Sequence, residues 1–117
     1  MSVEKLLLEV GSKKAGLDVI KPPALRGASG VEHKFSFLCR GSSKVAVDIY
    51  EDITEIEVIK TFVKRVDTGA QAHLVWTGER CTASARDLAA EYGMQIMREQ
   101  DLSGFFEGLV MKAPNKN

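Results

Sequence analysis

The chain has 117 residues, the size of one ordinary domain, with 44% hydrophobic and 27% charged side chains. Basic and acidic residues both number 16, so the formal net charge is zero, which excludes a protein that coats nucleic acid by bulk positive charge and leaves room only for a local basic patch. No apolar run approaches the ~20 residues needed to cross a bilayer, the start lacks a signal-peptide pattern, and Cys39 and Cys81 lack CxxC spacing, so a cytoplasmic protein with free thiols is expected.

Residues 2–16 are predicted to form a first helix. Ser2 caps it, Val3, Leu6, Leu7 and Val10 form an apolar stripe, and Lys13 and Lys14 followed by Gly16 close it. Gly11 weakens it by about 1 kcal/mol relative to alanine. Residues 17–21 read as a short strand ended by Pro22 and Pro23, which cannot donate ladder hydrogen bonds. Residues 24–30, with small side chains around Arg26, read as a loop or ragged edge.

Residues 33–40 alternate, predicting one strand with His33, Phe35 and Phe37 on one side and Lys34, Ser36 and Leu38 on the other. Gly41-Ser42-Ser43 supplies the turn. Residues 44–50 alternate again, with Val45, Val47 and Ile49 toward the core and Ala46, Asp48 and Tyr50 opposite. Ser36, Asp48 and Tyr50 are therefore expected on one polar face.

Thr54 and Glu57 form a capping box for a helix over 54–68. Its apolar residues Ile56, Ile59, Phe62, Val63 and Val66 are expected to be buried, with Lys60, Lys64 and Arg65 toward solvent. Residues 72–77 read as a strand buried on both faces. A helix from Thr82 to Gly93 follows, with Ala85, Leu88, Ala89 and Tyr92 inward, and then a strand over 94–97. Asp101 or Ser103 opens a last helix in which Phe105, Phe106, Leu109 and Val110 seek cover, weakened by Gly104 and Gly108. One domain is expected over 1–111, with a flexible tail over 112–117. Helices 54–68 and 82–92 each join two strands, so right-handed crossovers make those strands parallel. The predicted class is α/β, with an antiparallel hairpin at one end of a mixed sheet.

Four stretches carry a wider resemblance: Gly30-Val31-Glu32-His33-Lys34-Phe35-Ser36, Lys44-Val45-Ala46-Val47-Asp48-Ile49-Tyr50, the strand over 70–76, and Ala85 with Leu88-Ala89 and Tyr92-Gly93-Met94. Together they resemble the restriction-endonuclease-like PD-(D/E)xK nuclease superfamily, most of all its compact archaeal-type members. The resemblance covers most of the chain and implies a three-layer fold, a central mixed sheet flanked by helices. Active members tend to read EFD in the first strand and (D/E)xK in the second. Their two acids hold a divalent ion, their lysine positions the attacking water, and an acid on the first helix often completes the site. At the matching positions this chain has Ser36 for the first acid, Asp48 for the second and Tyr50 for the lysine. Glu4 or Glu9 stands for the helical acid; helix phase does not choose between them, and Asp48 with Glu9 would be the metal pair of an active site.

Magnesium dehydrates reluctantly and is normally held by one or two carboxylates plus substrate phosphates. Asp48 beside a hydroxyl and a phenol makes a weak site, and Tyr50, neutral with a pKa of ~10, does not replace an ammonium. The expectation is a degenerate, inactive nuclease-fold domain with no cofactor, and magnesium only if activity survives. Its expected partners are DNA or another nucleic acid, or a protein, with the chain acting as a homodimer away from membranes. Arg26, Lys34, Arg40 and Lys44 around the hairpin are the expected phosphate contacts. Two alternatives stand beside this reading. One is an active magnesium-dependent DNA endonuclease using Asp48, a first-helix glutamate and Glu51 brought in by a bulge. The other is a non-enzymatic dimerisation or scaffold module that makes contact through Phe105, Phe106 or Val110. His33 reads as a structural histidine and Trp76 as core packing.

Overall fold

The computed structural model describes residues 3–112. The chain runs α1 (Val3–Lys14), β1 (Asp18–Val19), β2 (Ala24–Arg26), β3 (Glu32–Lys34), β4 (Phe37–Arg40), β5 (Lys44–Tyr50), α2 (Glu55–Thr68), β6 (Gln71–Trp76), α3 (Ala83–Glu91), β7 (Ile96–Met97), a 3-10 turn (Glu99–Asp101) and α4 (Leu102–Lys112). The cap expected at Ser2 and the tail beyond Lys112 lie outside the described residues.

β5 is the middle strand of a five-stranded sheet ordered β1-β4-β5-β6-β7. It pairs antiparallel with β4, Phe37 opposite Val47 and Arg40 opposite Lys44. It pairs parallel with β6, and β6 pairs parallel with β7. The α/β class and the mixed sheet follow the sequence reading. The geometry also explains it: a three-residue Gly-Ser-Ser turn closes an antiparallel pair, whereas helical crossovers return strands in parallel.

Helices cover both faces. Val45, Val47, Phe37 and Cys39 pack against Leu8 of α1 and Phe105 and Phe106 of α4. On the other face Leu74 packs with Val58 of α2, Ala85 and Ala89 of α3, and Met94. A third cluster, Phe35, Leu38, Ala46 and Ala72, fills the corner near Leu25.

Three local expectations are corrected. First, residues 33–40 are not one strand. The chain breaks at Phe35 and Ser36, and β3 pairs with β2 in a separate two-stranded ribbon, so 24–26, expected as part of a loop or ragged edge, is a paired strand. The break changes the alternation, so Phe35 joins Leu38 and Ala46 while Phe37 faces the opposite core.

Second, α2 turns its expected apolar stripe outward. Val58 and Thr61 are its buried residues, Phe62 is half-buried, and Ile56, Ile59, Val63 and Val66 are exposed. α1 shows a smaller version: Leu8 and Ser12 are buried while Leu6 and Val10 are exposed.

Third, Phe105 and Phe106 are core residues and not a contact surface. Phe106 makes an edge contact with Phe37, ring centroids 6.4 Å apart. The side chain of Val110 lies outside the described residues. Gly11 explains why α4 can approach α1: a Cβ there would sit 2.8 Å from two ring carbons of Phe106. Helix propensity alone says that Gly11→Ala stabilises by about 1 kcal/mol. Overpacking against a buried ring opposes that, and a net loss of about 1–2 kcal/mol is expected in urea unfolding. A gain in stability would show that α1 and α4 are not in this contact.

Candidate functional site

Among the described residues Asp48 is the one buried aspartate, at 4% exposure. Alternation along β5 turns it to the α2 face with Ala46 and Tyr50. The capping box at Thr54 and Glu57 starts α2 at a defined point, with Glu57 Oε1 accepting from both the amide and the hydroxyl of Thr54 at 2.7 Å. These hydrogen bonds hold the Glu57 carboxyl below its ordinary value. Six and nine residues beyond Glu55, the helix delivers Thr61 and Lys64 over Asp48.

Thr61 donates its hydroxyl to Asp48 Oδ2 at 2.7 Å. Lys64 Nζ lies 2.7 Å from the same oxygen, with 19% of its side chain exposed. The same ammonium donates to the carbonyl of Lys34 at 2.7 Å and sits over the ring of Phe35, 4.7 Å from its centroid. Tyr50 OH is 3.2 Å from Thr61 Oγ1 and 3.5 Å from Asp48 Oδ2. Burial pushes the phenol up to about 12, with the Thr61 hydrogen bond opposing and the charges of Asp48 and Glu57 adding. Tyr50 therefore stays neutral at physiological pH.

The other predicted positions fall elsewhere. Ser36 Oγ accepts from the amide of Ile49 at 2.9 Å, closing the β4–β5 pair where β4 begins. Glu9 on α1 pairs with Lys21 at 3.2 Å. Glu9 and Ser36 line one cavity of about 220 Å³ together with Lys5 and Lys21. Asp48 and Tyr50 instead belong to the cluster under α2. Glu51 is exposed beyond the end of β5. Among the described residues no group of three His, Cys, Asp or Glu side chains is placed to hold a metal ion. Magnesium does not fit Asp48 as it stands, because an ammonium already occupies the position a cation would take at Oδ2.

The four predicted basic residues divide into two pairs. Arg26 and Lys34 lie on the small ribbon, where Arg26 Nη1 donates to the carbonyl of Gly30 at 2.9 Å. Arg40 and Lys44 sit directly opposite each other where the β4–β5 hairpin turns, and both are exposed.

Two features escaped the sequence reading. Lys64 is a partner of Asp48 and not a solvent-facing lysine; only the three-dimensional contact reveals it. Trp76 is the second: it carries the guanidinium of Arg98 over its ring, 3.5 Å from the centroid, and that of Arg86 at 5.2 Å. Its Nε1 is buried without a hydrogen-bond partner among the described residues. The run HLVW predicted a strand, but nothing in it signals two arginines from α3 and the segment after β7.

A further polar cluster fixes the ribbon. Asp67, in the last turn of α2, accepts from the Ser29 amide at 2.9 Å and its hydroxyl at 2.6 Å, and its Oδ2 lies 2.7 Å from His33 Nε2. His33 is thus the structural histidine expected, with its partner now named. Both residues bind one carboxylate, so the Ser-His-Asp set is not a nucleophile relay, in which histidine must lie between the other two.

Compared with models of protein families, with curated proteins and with solved structures, the chain shows no significant match.

The Asp67 cluster gives a pH prediction. The hydrogen bond from Ser29, aided by His33, holds this carboxyl below its ordinary value of 3.8. A depressed folded-state value stabilises the fold above the unfolded value, and that contribution disappears as pH falls through the folded value. Asp67→Asn should therefore melt at a lower temperature than the parent near neutral pH, and the gap should close in acid below 3.8. A gap independent of pH would mean that the Asp67 charge contributes nothing.

Proposed function

We propose that this chain is a non-catalytic domain of restriction-endonuclease-like type that works by binding. The observation that carries the reading is the enclosure of Asp48 by Thr61 and Lys64. A nuclease carboxylate must hold a hard cation in an open position facing substrate oxygens. This one is buried, already neutralised by an ammonium, and accompanied by a neutral phenol where the resemblance calls for a lysine. Ser36 caps a backbone amide, a structural duty that a hydroxyl performs well.

Nucleic acid is the partner that the surface favours. Arg40 and Lys44 are directly opposed across the hairpin. Like charges so placed repel, a cost that an anion between them relieves. Arg86 and Arg98 form no salt bridge among the described residues, and both lie over Trp76 beyond the carboxyl ends of parallel strands. In open α/β sheets that edge is where ligands gather. Phosphate contacts made by a few exposed cations agree with a chain of zero net charge.

The test has two parts. With Mg²⁺ or Mn²⁺ the protein should leave duplex, single-stranded and branched DNA uncut. Cleavage that disappears in Asp48→Asn would contradict the non-catalytic reading. In low-salt anisotropy titrations the protein should bind DNA, and replacing both Arg40 and Lys44 with alanine should weaken binding and lower the salt slope by about one per cation removed. Absence of binding to all three DNA forms would remove nucleic acid as the partner.

A further inference from the structure

Helix α2 presents an apolar seam that nothing in the described chain covers. Ile56, Ile59, Val63 and Val66 are 61%, 46%, 54% and 66% exposed. Their spacing alternates three and four residues, the a and d positions of two heptads. At 100° per residue the seam points away from the buried side of the helix, which carries Val58 and Thr61. Four β-branched residues in one outward row exceed the scattered single apolar residues normal on a surface.

The flanks identify the occupant. With Ile56 and Val63 at a, Glu55 takes a g position and Lys60 the following e position; both are exposed. In a parallel two-fold helix pair the g residue of one chain meets the next e residue of the other. Glu55 would face Lys60 of a second copy, and symmetry would repeat the pair. In an antiparallel pair that sets Ile59 against Val63, the two Lys60 side chains would instead lie near the axis and repel.

We infer that α2 forms a parallel, two-fold symmetric seam with α2 of a second copy of this chain, closed by Ile56, Ile59, Val63 and Val66 and flanked by Glu55–Lys60 pairs. This deepens the binding reading above by naming a partner, and it is tested by mass and not by DNA, so either can fail without the other. α2 has 14 residues, about 21 Å of helix, so the seam is small, below about 1,200 Å² in total. The helix is already ordered by its packing on the sheet, so association carries little ordering cost. A micromolar dimer is expected.

Sedimentation equilibrium of the full chain should show a mass rising with concentration from 12.8 kDa toward about twice that value. Ile59→Asp should raise the dissociation constant by about 30-fold or more while leaving the circular dichroism spectrum unchanged. Glu55→Lys or Lys60→Glu alone should weaken the dimer about fivefold, and the two combined should restore it. A chain that stays monomeric at all concentrations overturns the proposal. So does a dimer that survives Ile59→Asp, or a charge swap that fails to restore association.

Discussion

A carboxylate inside an apolar layer must be neutralised or paired, and here the pairing of Asp48 determines much of the rest. Lys64 and Thr61 meet the demand from α2. To reach Asp48, the helix must turn that polar side down. Its seam of isoleucines and valines is left facing outward as a result. The choice between burying that seam and satisfying a buried charge follows from magnitudes. Four exposed aliphatic side chains forgo about 1.5–3 kcal/mol each at most, whereas an unpaired carboxylate in a medium of low dielectric costs far more or loses its charge. The same lysine reaches the Lys34 carbonyl and the Phe35 ring, so the ion pair also ties the β2–β3 ribbon to the sheet.

This arrangement bears directly on chemistry. A metal-dependent nuclease leaves its acids partly solvated and short of positive charge, so that an ion and a phosphate complete them. Asp48 is completed from within. Glu9, the acid on α1 that the resemblance would enlist, is engaged with Lys21 and shares its cavity with Ser36 instead. Both acids are therefore engaged in ion pairs inside the chain, while Arg40, Lys44 and the α2 seam are exposed.

Much of the architecture was legible in the sequence. The capping box at Thr54, the alternation over residues 44–50 and the apolar strand ending at Trp76 each rest on local chemistry, and each is present. Element faces were less legible. Period analysis finds the apolar side of a helix but assumes that this side is buried, and in α2 a polar tertiary contact prevails over that rule. The break at Phe35 and Ser36 was hidden because alternation continues in the letters across a bend in the chain. Gly11 looked like a weak point in α1; its role is to admit Phe106. At the site, that Ser36 and Tyr50 stand on either side of a lone aspartate as neutral groups could be read from single letters. Lys64 could not, because it lies 16 residues from Asp48 and its significance is purely spatial.

The central claim, that Asp48 is spent on an internal ion pair, is tested most directly by a double-mutant cycle in urea unfolding with Asp48→Asn, Lys64→Met and the two combined. Each single change should cost about 2–3 kcal/mol, somewhat below a fully enclosed pair because Lys64 retains some solvent access, and the double variant should recover at least about 1 kcal/mol relative to the sum. Strictly additive losses would show that the two charges do not interact and would contradict the claim.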